Sequence, residues 1–334
     1  MECLSIEYRN GIKECVHRGR IAIVDGEQEM IRKIGNIDTI TFFRSASKPI
    51  QVLPLLMYGI QEKYDLSEKE IAVMSGSQGG EPEHVLVLEK ILEKTELREE
   101  ELIIKPCYPE EEKAREELLK RGEKKRSLYH LCAGKHLAAM LLQRELTGTQ
   151  QGYWEIESEA QRCIRQYISI FCDIPCEQIY TGIDGCGVPV FAVPQYKIAS
   201  AYCKLAVPEN TNVEKWKREI KILQNAMNRN PVLVRRTGHL CSILNEDKNL
   251  IVKDGSQGVL GIGMKKQHLG IAIKIEDGSE KTMPCIVKEI FRQLKYDNAV
   301  LMERLEKVFD EKIYNNQGDI IGDIRAAFHY LQIN

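Results

Sequence analysis

The sequence predicts an α/β fold in which one antiparallel sheet is assembled from both chain ends around a helical insertion. Three observations carry this. Short β-like runs and tight turns fill the first 40 or so residues, helical periodicity dominates from about residue 66 to 175, and the last third returns to strands. Asn10-Gly11 and Asp25-Gly26 are hairpin turn pairs, and Arg20–Val24 is a short strand between them. The β pattern continues less clearly over 30–40. A helix follows at about Ser47–Tyr58, where Pro49 suits the first turn and Pro54 should kink it. Helices are expected at Ser67–Met74, Glu83–Lys94, Pro109–Arg121, His130–Leu146 and Glu155–Phe171. Ile179–Tyr180 leads into a glycine-rich turn, and a further helix spans about Asn212–Asn228. Asn249–Lys253, Gly258–Met264 and Gly270–Ile275 read as strands. Helices are expected to close the chain at Lys281–Leu294, Asn298–Phe309 and near Asp323–Tyr330. The expected organisation is one catalytic domain over 1–334. Its helical subdomain, roughly 66–230, sits between sheet segments 1–45 and 235–334.

Composition narrows the function. The 334 residues are 43% hydrophobic and 29% charged, ordinary for a globular protein, and a net charge of -2 offers no basic footprint for nucleic acid. The charge runs 110–113 and 121–126 read as solvated helix faces. No apolar run reaches the roughly 18 residues of a membrane span. Met1–Arg20 mixes charges and lacks the apolar core of a signal peptide. Eleven cysteines without scaffold-like spacing fit reduced thiols in a cytoplasmic protein.

The chemistry concentrates in a few short stretches. Arg44-Ser45-Ala46-Ser47-Lys48-Pro49 contains a Ser-x-x-Lys step. Residues three apart share a helix face, so Ser45 Oγ and Lys48 Nζ can meet, and a lysine kept neutral can take the hydroxyl proton. Ser75–Pro82 is a serine- and glycine-rich loop between two helices, with Glu81 at its end. Tyr129–His136 packs Cys132, Lys135 and two histidines ahead of an apolar helix; Cys132 and Lys135 share a face, and Cys132 with His136 is an alternative metal pair. In Asp184-Gly185-Cys186-Gly187 the flanking glycines let the backbone approach a partner closely. Lys253-Asp254-Gly255 ends a late strand and has the shape of a Lys-Thr-Gly element. Taken in order, these stretches match the outline of the penicillin-recognising serine hydrolases, except that the middle loop does not read Ser-Asp-Asn.

Phe43–Pro49, Ser77–His84, Cys132–His136, Asp184–Pro189 and Lys253–Gly255 together resemble the Rhizobium-etli-type L-asparaginases, the asparaginase II family, over nearly the whole chain. The resemblance implies a serine β-lactamase-like fold, shared with one group of glutaminases, and hydrolysis of L-asparagine to L-aspartate and ammonia. It implies two serine–lysine pairs, Ser45 with Lys48 and Ser77 with Lys253. It also implies a zinc ion on Cys132, Lys135 and Cys186 that aids substrate binding, and a homodimer. The chain departs from the family pattern at Ala133, at Gln78 and at Ser256-Gln257.

The mechanism expected from these residues is attack by Ser45 on the side-chain amide carbon, with Lys48 as base. Backbone N–H groups of the Ser45 turn, with one from the Lys253–Gly255 strand, hold the oxyanion. Ser77 and Lys253 relay protons, or Ser77 itself is the nucleophile. Arg44 suits the substrate α-carboxylate, and Glu81 or Asp184 its α-ammonium. Two other readings stay open: a glutaminase, penicillin-binding protein or esterase on the same framework, and a non-catalytic zinc protein.

Overall fold

A computed structural model describes residues 1–328 and, by its backbone, the short strand Gln332–Ile333. Its main sheet is antiparallel throughout. The strands run across it in the order Lys312–Tyr314, Ile320–Ala326, Glu2–Arg9, Ile12–Asp25, Leu269–Ile275, Val259–Met264 and Leu250–Gly255. The long strand Ile12–Asp25 also pairs with Met30–Ile34, which in turn pairs with Gln332–Ile333. Both chain ends therefore contribute to one sheet, the arrangement expected of a serine β-lactamase-like chain. Asn10 and Gly11 take positive φ at the first hairpin, the geometry such a two-residue turn requires. The second connection is longer than the Asp25-Gly26 pair suggests, and its left-handed residue is Gln28.

Between the sheet segments come the helices Lys48–Met57, Glu68–Met74, Pro82–Thr95, Glu112–Lys120, Ala133–Thr147 and Glu159–Cys172. A small sheet follows, ordered Ile40–Phe42, Pro189–Pro194, Tyr180–Ile183. Local signals explain several boundaries. Ser67 and Glu70 form a reciprocal capping box, Pro82 occupies the first turn of its helix, and Ser158 and Asn298 accept from backbone N–H groups of theirs. The helix expected at Ser47–Tyr58 instead starts as a 3-10 turn, Arg44–Ser47, and continues as an α-helix to Met57 with Pro54 inside it.

Two elements differ from the sequence reading. The helix expected near Asp323–Tyr330 is, over Ile320–Ala326, a strand paired with Glu2–Arg9; residues 329–330 lie outside the described residues. The pairing edge offered by Glu2–Arg9 outweighs a weak helical pattern, and three isoleucines favour the strand. The helix Gln195–Ala206 escaped the sequence reading altogether. Ile198 through Ala206 are all buried, polar Ser200 and Lys204 included, so no polar stripe announces an amphipathic helix.

That unforeseen helix organises the core. It lies across one face of the sheet on a bed of glycines. A Cβ on Gly261 would sit 2.0 Å from the Tyr202 ring, and one on Gly270 2.0 Å from the Ala199 carbonyl oxygen. The same sheet face presents Ala22, Val24, Ile251, Val259 and Ala272 to the helical core. The opposite face buries Ile21, Ile23, Val252, Leu260 and Ile262 against Leu240–Asn245, Met283–Gln293 and Ala299–Val308. At roughly 25 cal/mol per Å² of apolar surface removed from water, these two layers supply the main drive to fold. None of the helices among the described residues is long and apolar enough to cross a membrane.

Candidate active site

The site forms where the Arg44–Ser47 turn meets the end of the strand Leu250–Gly255. Gly255 is required there, because a Cβ would lie 2.6 Å from the Phe43 carbonyl oxygen and 3.2 Å from the Ala46 nitrogen. Tyr202 ties the two segments together. Its hydroxyl donates to the Ala46 carbonyl at 2.7 Å and lies 3.4 Å from that of Lys253. Arg44, just before Ser45, holds φ at +51°, a left-handed conformation that costs a non-glycine residue on the order of 1–2 kcal/mol. Ser45 is buried and its Oγ makes no hydrogen bond to another protein group among the described residues, whereas Ser47 Oγ donates to the Arg44 carbonyl.

Lys48 is fully buried and meets only neutral acceptors. Its Nζ donates to the Gly76 carbonyl at 2.7 Å, Ser77 Oγ at 2.9 Å and the Leu131 carbonyl at 3.3 Å. Burial pulls this amine down to about 8; Cys132 opposes that shift, while Lys135 and Lys253 add to it. The structure thus joins Lys48 to Ser77, not to Ser45 as the three-residue spacing suggests. Two features place Ser77. Its N–H donates to the Val234 carbonyl, and its own carbonyl accepts from Arg235 Nη1 at 3.1 Å. Gly76 must be glycine because a Cβ would sit 2.5 Å from the Leu233 carbonyl oxygen.

Gln78, one of the departures from the family pattern, is fully buried and saturated. Its amide donates to the Leu128 and His130 carbonyls at 2.9 and 2.7 Å, and its Oε1 accepts from the Gly80 N–H. It clamps the serine loop to the loop leading into Cys132 through a group that does not titrate.

A second cluster gathers Arg44, Asp184, Lys135, Cys132 and Cys186. Asp184 Oδ1 accepts from Arg44 Nε at 3.1 Å and pairs with Nη2 at 2.9 Å, while Oδ2 meets Lys135 Nζ at 3.3 Å and Cys186 Sγ at 4.0 Å. Within its own loop the Asp184 N–H bonds the Val188 carbonyl, and Gly187 at φ +92° closes the turn. The Cys186 thiol donates to Asp184 Oδ2. Cys186 lowers the Cys132 thiol well below its ordinary range against the effect of burial, with Lys48 and Lys135 assisting. Cys186 is correspondingly pushed up. Burial works against the charge on Lys135, but Cys132, Cys186 and Asp184 outweigh it and raise this lysine. Cys132, Cys186 and Lys135, the three residues expected to hold zinc, therefore interact with one another. His136, the alternative partner of Cys132, turns into the core instead: its Nδ1 meets the Tyr153 hydroxyl at 2.8 Å, and burial, then Lys135, holds it near 3, neutral.

Lys253 is not on Ser77. Its Nζ pairs with the carboxylate of its neighbour Asp254 and donates to the Asp254 carbonyl at 2.9 Å. Asp254 Oδ2 lies 3.3 Å from Arg235 Nε, and its N–H donates to Cys241 Sγ at 3.1 Å. Burial opposes the charge on Asp254, yet Lys253 and Arg235 hold it well below the usual carboxylate range. His239, Cys241 and Asp254 present ligand atoms within 4.8 Å of one another, but with Lys253 and Arg235 on the carboxylate this cluster is an ion-pair network and not a metal centre. Glu110, expected on a solvated helix face, pairs with Arg235 at 2.6 Å. Glu81 is drawn to this side as well: its Oε2 accepts from the Thr237 N–H at 3.3 Å and faces His84 Nδ1 at 3.4 Å. The sequence reading gave Arg235 and Cys241 no part and assigned Asp254 no role. Only the Asp254 position inside Lys253-Asp254-Gly255 signalled it.

Residues 6–326 match the family model described as L-asparaginase II. The chain belongs to the L-asparaginase II family. No curated protein matches it. Among solved structures it is similar to Mglu in its tris and glutamate form, with 13% identity over 90% of this chain and 65% of that one, at a TM-score of 0.40. It is also similar to a Bacillus glutaminase in 4.3 M NaCl, with 13% identity over 83% and 91% and a TM-score of 0.37. The chain thus spans just under two-thirds of the Mglu chain, and likeness at this level is too weak to bear on activity.

Proposed function

We propose that the protein hydrolyses the side-chain amide of L-asparagine to L-aspartate and ammonia by serine–lysine nucleophilic catalysis. Lys48 is the observation that carries this reading. A fully buried amine, lowered to about 8 and bound to a hydroxyl and two carbonyls with no carboxylate, is fit to accept a proton near neutral pH.

Ser45 attacks the amide carbon and its proton passes to Lys48, with Ser77 holding that amine in place. The N–H of Ser45 and those at the end of the Gly255 strand, packed against the same turn, face the oxyanion. Ammonia leaves, and water releases aspartate from the acyl-enzyme. The substrate is a zwitterion, and the Arg44–Asp184 ion pair is its template: the α-carboxylate takes Arg44 and the α-ammonium takes Asp184, so each charge exchanges one opposite partner for another. Glu81, engaged at Thr237 and His84, is the less available carboxylate. A second reading makes Ser77 the nucleophile; the 2.9 Å bond from Lys48 to its Oγ favours it.

Zinc fits Cys132, Cys186 and Lys135, whose amine binds a metal only after losing its proton. When bound it would supply Lewis-acid attraction for the substrate. The enzyme acts on a small molecule as a cytoplasmic homodimer. Its eleven free thiols, including the neighbouring Cys132 and Cys186, support a reducing compartment.

Ammonia release from L-asparagine and L-glutamine tests this for the wild type, Ser45→Ala and Ser77→Ala. Release from asparagine that vanishes in Ser45→Ala alone establishes the first reading, and loss confined to Ser77→Ala moves the attack to Ser77. Faster release from glutamine makes the protein a glutaminase. No release from either amide by zinc-loaded protein ends the amidase reading.

A further inference from the structure

Two segments enclose the Lys48 amine. Gly76 and Ser77 supply a carbonyl and a hydroxyl at 2.7 and 2.9 Å, and Leu131 supplies a carbonyl from the facing segment at 3.3 Å. Lys48 thus bridges the two by one long bond. Gln78 bridges them beside it. Gln78 follows Ser77 directly in the chain, and its amide nitrogen donates to the carbonyls of Leu128 and His130, the second of these one residue before Leu131. The Gln78 side chain is a second tie between the same two segments and, at 2.9 and 2.7 Å, the tighter one.

A primary amide suits this place by its count of donors. Its Oε1 accepts from the Gly80 N–H, which folds the side chain back on its own loop and leaves both N–H bonds for the facing carbonyls. Gln78 and Leu128 are both fully buried, so a carbonyl that lost its donor here would not regain one easily from water. The segments do not depend on Gln78 to meet. Gly134, at the start of the helix Ala133–Thr147, packs backbone to backbone on Val73, where a Cβ would sit 2.4 Å from the Val73 carbonyl oxygen. The serine loop is anchored on its other side, where the Ser77 N–H donates to the Val234 carbonyl and the Gly79 carbonyl accepts from the Glu111 N–H at 2.9 Å. What Gln78 adds is the fine spacing.

We propose that Gln78 is a positioning residue for the reaction: its amide sets the spacing between Ser77 and the Leu131 carbonyl, and so holds the Lys48 amine in place. The inference rests on the serine–lysine reading above, in which Lys48 is the base. Gln78 acts through the backbone on either side of that amine.

Crystal structures and asparagine kinetics of the full-length Gln78→Leu and Gln78→His variants test it. Leucine fills the volume and removes all three bonds. Lys48 Nζ should then lie beyond hydrogen-bond reach, roughly 3.5 Å, of the Leu131 carbonyl oxygen. kcat should fall about 10²-fold, the scale of a misplaced catalytic group, with KM within about threefold. A neutral histidine has one donor and one acceptor, enough for Gly80 and one carbonyl, so kcat should recover to about a tenth of wild type. Wild-type kcat in Gln78→Leu, a loss that falls on KM with kcat unchanged, or an unmoved Leu131 carbonyl overturns the proposal. Should Gln78→Leu not fold, Gln78→His decides alone. A loss of about tenfold in kcat at constant KM, with a longer Lys48–Leu131 contact, upholds the proposal, and wild-type kcat or an unmoved contact overturns it. Wild-type protein silent on both amides would end the amidase reading instead, while the Lys48–Leu131 distance in the variant crystals would still decide whether Gln78 sets it.

Discussion

Lys48 and Lys253 are both fully buried and both adjoin the Ser45 turn, yet their surroundings are opposite in kind. Lys48 is surrounded by carbonyls and a hydroxyl, while Lys253 has a carboxylate. Burial alone does not make a lysine a base; the charge of the partner decides. A neutral shell stabilises an ammonium weakly and leaves desolvation to win, as it does at Lys48. A carboxylate held by a second cation matches the ammonium charge at Lys253. The other buried lysines also have carboxylate partners, Lys135 at Asp184, Lys204 at Asp173 and Lys288 at Glu311. Among the described buried lysines, Lys48 alone bonds only carbonyls and a hydroxyl.

The sharpest way to break this contrast is to replace each lysine by arginine, which keeps the cation but cannot act as a base. Lys48→Arg should lose about 10³-fold in kcat, and Lys253→Arg roughly tenfold. Equal losses, measured by ammonia release from asparagine, would remove the distinction.

A pH profile sharpens it next. In the proposed mechanism the neutral amine of Lys48 is the active form, so kcat/KM should rise as pH climbs through about 8 and then level off. A profile flat between about pH 6 and 10, with chemistry rate-limiting, would rule Lys48 out as the base.

Gly255→Ala probes the packing that brings the Lys253 strand against the Ser45 turn. The added Cβ meets the Phe43 carbonyl at 2.6 Å, so stability should fall by about 1–3 kcal/mol, read as a lower denaturant midpoint at unchanged m-value. An unshifted midpoint would show that the turn yields freely.

The smallest effect on chemistry is expected on the Cys132 side. Chelation of zinc-loaded protein, or Cys132→Ser, should abolish stoichiometric zinc. KM for asparagine should rise several-fold, on the order of 1 kcal/mol of binding, and kcat should change less. A collapse of kcat on chelation would place the metal in the chemical step.

Much of this molecule is written locally. The Asn10-Gly11 hairpin, the capping box of Ser67 and Glu70, and the three late strands follow from turn chemistry, side-chain capping and apolar alternation acting over a few residues. The candidate site stretches stood out too, because Ser-x-x-Lys, the cysteine loops and Lys-x-Gly carry unusual side chains at short spacing. The Gln195–Ala206 helix was not legible, because a helix buried on every side has no polar stripe. The strand Ile320–Ala326 depends on an edge supplied by Glu2–Arg9, more than 300 residues away in sequence.

The sequence by itself determined which residue types the site contains and that strands from both ends enclose helices. Only the tertiary structure decided who partners whom. Helical spacing offered Ser45 to Lys48, but a lysine side chain is long enough to choose among acceptors. The fold placed Gly76, Ser77 and Leu131 within its reach. Lys253 was offered Ser77, but an edge strand and a guanidinium from residue 235 gave it a carboxylate first. Ionisable side chains bind whichever opposite charge the packed core brings near, and that proximity is a property of three dimensions that spacing along the chain does not encode.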